Sequence, residues 1–115
     1  MQKVALFAFN GEAMCFIHVL LNGLEMRERG YEVKVIIEGA ATKLIPELAR
    51  EDTPAGQLYQ KTKALGLIAG ACKACSTKMG VLEAVDRERL LLLGEMSGHP
   101  SISRYLEEGY AVMTF

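Results

Sequence analysis

Apolar positions along this chain change their spacing several times, and the changes divide it into short strands and helices. Lys3 to Phe9 is nearly all apolar and stops at Asn10-Gly11. That is the pattern of a strand buried on both faces and closed by a turn. Ala13, Phe16, Ile17, Leu20, Leu21 and Leu24 then recur every three or four residues, which predicts a helix from Glu12 to Arg29 terminated by Gly30. Val33, Val35, Ile36 and Ile37 form a second β-branched run that ends at Glu38-Gly39. Strand, helix and strand at this spacing make the βαβ unit of a parallel sheet.

Farther along, Pro46 predicts that the helical segment from Thr42 to Arg50 is short, kinked or begun late. Thr53-Pro54 is a capping start for a helix through Leu65, with Leu58, Thr62 and Leu65 on one side and Gly66 at its end. Leu67 to Ala71 reads as a third strand and Ala74 to Ala84 as the helix after it. Leu90 to Leu93 fits a buried strand or the end of a helix capped by Asp86, and parallel-sheet logic favours the strand. Pro100 to Glu108 predicts a helix with Ile102, Tyr105 and Leu106 inward, and Tyr110 to Phe115 a last strand. The expected fold is one α/β domain over residues 1–115: a three-layer α/β/α arrangement with a mainly parallel, five-stranded sheet of Rossmann or flavodoxin type.

Composition agrees with one packed domain. The chain has 115 residues, 50% hydrophobic and 23% charged, enough for a single core and too few to divide comfortably. The formal net charge is −1, with basic residues scattered, so neither nucleic acid nor an anionic membrane is an expected partner. Three cysteines do not make the framework of a small secreted scaffold. The amino-terminal apolar run is too short for a signal peptide or membrane span, and the expected location is the cytoplasm.

In a parallel sheet the carboxyl ends of the strands gather on one edge. Asn10-Gly11-Glu12, Glu38-Gly39, Cys72 to Cys75 and Gly94 to His99 would share that edge as a ligand-binding rim. Neither the phosphate-loop sequence nor the dinucleotide fingerprint occurs, so no cofactor is expected. The Cys72-Lys73-Ala74-Cys75 run carries the chemistry. A thiol opening a helix is drawn toward thiolate by the helix dipole, with Lys73 and Lys78 adding positive charge. Cys72 is the expected attacking thiol and Cys75 the resolving or auxiliary one, although two cysteines can also be plain packing.

His99 stands on the rim either to exchange a proton with a substrate sulfur or to cap the last helix. Glu12, Glu38 and Glu95 join the candidates through position alone, since turn carboxylates usually just face solvent. Cys15 reads as core packing and His18 as a solvated residue. Cys72, Cys75 and His99 would offer three metal ligands where structural zinc sites generally have four, leaving Glu95, Glu38 or another subunit to complete the set.

The chain resembles the DsrE/DsrF-like family, small α/β proteins that include sulfur-relay subunits. The pieces that match are the Lys3 to Phe9 strand with its turn and long helix, Val35-Ile36-Ile37-Glu38-Gly39, a cysteine at the end of the third strand, and Glu108-Gly109-Tyr110 before the last strand. In sulfur-transferring members a cysteine after the third strand carries persulfide, and Cys72 matches it. The resemblance implies a sulfur carrier or sulfurtransferase-like protein, with donor and acceptor proteins or small thiols as partners and a trimeric or hexameric assembly. Cys75 departs from the relay pattern and admits a dithiol redox role, or a non-enzymatic module binding a metal or small ligand.

Overall fold

A computed structural model describes residues 2–115. Five strands, β1 (Lys3–Ala8), β2 (Glu32–Ile37), β3 (Ile68–Cys72), β4 (Leu92–Leu93) and β5 (Ala111–Thr114), form one sheet in the order β4-β3-β2-β1-β5. Every pairing is parallel. The α/β fold expected from the sequence is therefore present, with helices on both faces.

Alternation along the central strands fills two cores. Val4, Leu6, Ala8, Val33, Val35, Ile37 and Ala71 face one side. There they meet α1 (Ala13–Glu28), through Phe16, Val19 and Leu20, and α3 (Pro54–Ala64), through Tyr59. Ala5, Phe7 and Ile36 face the other, smaller core, where Tyr105 of α6 (Ile102–Glu107) sits between Phe7 and Tyr110 in edge-to-face contacts at 5.6 and 5.8 Å. Burial on both faces explains the near-continuous apolar run of β1.

Several elements depart from the sequence reading. A 3-10 segment, Gly39–Leu44, precedes α2 (Ile45–Leu48), with Pro46 in the first turn of α2 where its missing N–H costs nothing. The expected helix from Ala74 to Ala84 is two: α4 (Lys73–Lys78) and α5 (Leu82–Arg87). Gly80, at φ +70°, stops the first, and the Val81 N–H returns to the Ser76 carbonyl at 3.0 Å. Of Leu90 to Leu93 only the last two residues pair as a strand, and Leu91 and Leu92 are exposed. Ile102 and Leu106 are also exposed while Tyr105 is buried, because six-residue α6 buries that one side chain against the sheet. On α3, Thr62 is buried as expected and Tyr59 fills the core, while Leu65, just past the end of the helix, is exposed.

A register shift decides which way the end of β3 faces. Val35 pairs with Ile68 but Ile36 pairs with Gly70, leaving Ala69 as an extra residue. One extra residue reverses the alternation, so Ala71 joins the large core and Cys72 turns to the face of Leu93 and Tyr105. Gly70 allows this close packing: a Cβ there would lie 2.5 Å from the Leu91 carbonyl oxygen.

Candidate active site

Cys72 ends β3 and caps α4. Its backbone is extended, and its sulfur accepts the Cys75 N–H at 3.3 Å. The i to i+3 spacing of the two cysteines thus puts both thiols at one helix start, Cys72 fully buried and Cys75 partly exposed.

Gly94 to His99 supplies the third group. Met96 and His99 pair through N–H donors in both directions, at 2.8 and 2.9 Å, around Ser97 and Gly98, both at positive φ. A tight reversal of this kind needs two residues in the left-handed region, and Ser-Gly supplies them. The reversal docks on α4 through the Ala74 N–H, which donates to the Gly98 carbonyl at 2.8 Å. It brings His99 Nδ1 to 3.2 Å from Cys72 Sγ and 3.7 Å from Cys75 Sγ. Sequence reasoning overlooked the Gly98 carbonyl, 3.7 Å from Cys72 Sγ; Ser97-Gly98 before a histidine was the available signal.

Glu38 closes the fourth side, with Oε1 3.8 Å from His99 Nδ1. It is buried, unlike the exposed turn carboxylate the sequence suggested. Burial raises its carboxyl above the ordinary value; the His99 charge pulls it back and Glu95 pushes it further up. Burial also dominates at Cys72. Although the Cys75 N–H favours thiolate, burial, the Cys75 thiol and Glu38 push the Cys72 thiol up to about 12. The depressed thiol expected from the helix dipole is not found at Cys72; a six-residue helix offset by burial leaves that group protonated.

Other rim candidates stand apart from this cluster. Glu95 Oε2 accepts the Ser101 N–H at 2.8 Å and lies 3.7 Å from Arg104 Nη1. Burial raises its carboxyl, but Ser101 and Arg104 outweigh that and hold it below the usual range. Glu95 therefore braces the loop that carries His99. The cap of α6 is Ser101, whose hydroxyl accepts the Arg104 N–H at 3.3 Å, so His99 is free of that task. Lys73 is exposed, its side chain lying against Gly94.

Asn10, Gly11 and Glu12 follow β1. The Asn10 side chain accepts the Glu12 N–H at 2.8 Å, and Gly11 lies against Lys43. Gly39, at φ +57°, approaches the Phe9 carbonyl where a Cβ would stand 3.3 Å away. These residues share the edge without reaching the thiols in the hydrogen bonds of the described residues. Cys15 is half-buried rather than in the core and borders a surface depression with exposed His18 and Asn22 and half-buried Phe115.

Residues 3–115 match the DsrE/DsrF-like family. The chain belongs to the DsrE/DsrF-like family. Among relatives of this DsrE/DsrF-like chain, an uncharacterized Methanocaldococcus jannaschii protein, MJ0733, is 33% identical over 97 residues, 84% of this chain and 77% of that one. An uncharacterized Archaeoglobus fulgidus protein is 54% identical over 41 residues, 36% of this chain and 67% of its own. A conserved Bacteroides thetaiotaomicron protein of unknown function, BT1422, superposes with a TM-score of 0.76 at 19% identity, covering 99% of this chain and 95% of that structure. Its likeness concerns the fold. Among the described residues, no helix is long and apolar enough to cross a membrane.

Proposed function

We propose that this chain accepts sulfane sulfur and passes it on through Cys75 and Cys72, with His99 exchanging the protons. The observation that carries the reading is the convergence of both thiols on one imidazole nitrogen, at 3.2 and 3.7 Å. Membership in a family that includes sulfur-relay proteins supports it.

Exposure divides the labour between the sulfurs. Cys75, partly exposed, meets the donor: its thiolate attacks the terminal sulfur of a persulfide R–S–SH, forming Cys75–S–SH as the donor's S–S bond breaks and R–S⁻ leaves. Cys72 then attacks that terminal sulfur, giving Cys72–S–SH and returning Cys75 to thiolate. No net oxidation occurs in either exchange. His99 Nδ1 takes the proton of the Cys72 thiol, which burial otherwise holds in place. Persulfide thus rests on Cys72, the position that matches the family's sulfur carrier.

The placement of the two sulfurs within 4.8 Å of each other favours a second outcome, the dithiol reaction. Attack by Cys72 on the inner sulfur of Cys75–S–SH yields a Cys72–Cys75 disulfide and hydrosulfide; the thiols are oxidised and the sulfane sulfur is reduced. A cytoplasmic setting would return the disulfide to thiols. Small thiols or proteins are the proposed donors and acceptors. Assembly as a trimer or hexamer would cover exposed Met14, Leu91, Leu92, Met96 and Leu106.

Intact mass after incubation with polysulfide tests the reading. Native protein should gain one sulfur atom or lose two hydrogens with release of sulfide, whereas Cys75→Ser should show neither change and Cys72→Ser should hold the added sulfur on Cys75 without losing the two hydrogens. Native protein that shows neither change refutes sulfur handling at this site.

A further inference from the structure

We propose that Cys72, Cys75 and His99 also form a binding site for a soft divalent cation, zinc in the first place, through the two Sγ atoms and Nδ1. The three ligand atoms all lie within 4.8 Å of one another. In a tetrahedral zinc site, bonds of about 2.3 Å to sulfur and about 2.1 Å to nitrogen put neighbouring ligand atoms about 3.5 to 3.8 Å apart. The Nδ1 to Sγ distances of 3.2 and 3.7 Å lie within a few tenths of an ångström of that spacing. Those two contacts need adjustments of tenths of an ångström, and the two sulfurs, within 4.8 Å of each other, close by at most about 1 Å through side-chain rotation.

The backbone already holds them in place. Cys75 N–H to Cys72 Sγ fixes the first thiol, Ala74 N–H to the Gly98 carbonyl fixes the loop against α4, and the Met96 to His99 pairing orients the imidazole. Cys72 lies on the protein side while Cys75 and His99 are half-exposed, so an ion enters from solvent and meets a buried floor.

Ligand chemistry selects the cation. Two thiols and an imidazole suit zinc, cobalt and cadmium and do not suit magnesium or calcium, which take oxygen ligands. Binding displaces the two thiol protons, and the two thiolates then balance the ion's two positive charges. Three protein ligands leave a fourth position, the arrangement of zinc sites that keep one place for water or substrate. Glu38 Oε1, 3.8 Å from Nδ1, is the carboxylate placed to steady that water.

Cobalt titration of reduced, chelator-treated full-length protein tests this. One equivalent should produce thiolate-to-cobalt charge-transfer absorption that zinc abolishes. Cys72→Ser, Cys75→Ser and His99→Gln should each weaken binding at least tenfold, and Glu38→Gln about 10- to 100-fold. Cys15→Ser should bind as native, and circular dichroism of each variant separates ligand loss from unfolding. Absence of the absorption from native protein, or its survival at full strength in folded Cys75→Ser and His99→Gln, overturns the metal site. The sulfur reading is judged on metal-free protein by mass, so either proposal can fail without the other.

Discussion

His99 Nδ1 stands 3.2 Å from Cys72 Sγ although 27 positions separate the two residues in the chain. The contact joins the end of β3 to the reversal before α6, and it makes a buried thiol chemically addressable. Several expectations depend on it.

Alkylation should distinguish the two thiols. Cys72 is fully buried, with its thiol pushed up to about 12 by burial, while Cys75 is partly exposed. Iodoacetamide at neutral pH followed by peptide mapping should label Cys75 at least tenfold faster, a gap that unfolding in denaturant removes. Equal labelling of the native protein would contradict the division of labour.

His99→Gln should slow sulfur transfer by about a hundredfold, the lower end for removing a positioned proton acceptor. The side chain is half-exposed, so the melting temperature should move little. Stopped samples analysed by intact mass supply the rate; a variant as fast as native removes His99 from the mechanism.

Zinc and sulfur should compete. If the same three side chains hold either, a stoichiometric amount of zinc should suppress sulfur loading and Cys75 alkylation by at least tenfold, since both need a free thiolate. A chelator should restore both. Undiminished loading in the presence of bound zinc would mean that the ion sits elsewhere.

Gly70→Ala should destabilise the fold by about 1–3 kcal/mol, as overpacking does, because the added Cβ would stand 2.5 Å from the Leu91 carbonyl oxygen and 2.9 Å from Leu93 Cγ. Urea denaturation gives the stability. The same substitution should lower cobalt affinity, since β4 leads directly into the loop carrying His99.

Acid sensitivity should trace in part to Glu88, which binds Lys63 at 2.9 Å between α5 and α3. Burial raises its carboxyl, but hydrogen bonding and charge from Lys63 outweigh burial, and its folded value lies below the ordinary one. The sign follows: a carboxyl lower in the folded state stabilises fully above the unfolded value of about 4.3 and loses that contribution as pH falls through the folded value. Glu88→Gln should lower stability near neutrality by about 1 kcal/mol and flatten the decline below about pH 4. An unchanged acid limb in urea titrations would assign the sensitivity to other groups.

Much of the architecture was legible from local pattern. The apolar run of β1, the three- and four-residue spacing of α1 and the β-branched run of β2 each state a period, and periods survive whatever the chain packs against. Cys72-x-x-Cys75 and the rim position of His99 were legible too, because parallel strands must place their following turns on one edge. Where the pattern was short, it failed: Leu90 to Leu93 pairs over two residues only, and Gly80 splits a helix that the apolar spacing joined.

Sequence alone, then, determined the parallel α/β fold and the residues able to do sulfur or metal chemistry. Tertiary structure decided which of them meet. One extra residue at Ala69 turned Cys72 toward the face of Leu93, and the Ser97-Gly98 reversal carried His99 onto both thiols. Burial, a property of the whole packed sheet, then kept Cys72 protonated against the pull of its own helix start. Strand register, loop docking and desolvation are long-range terms, and no window of neighbouring residues contains them.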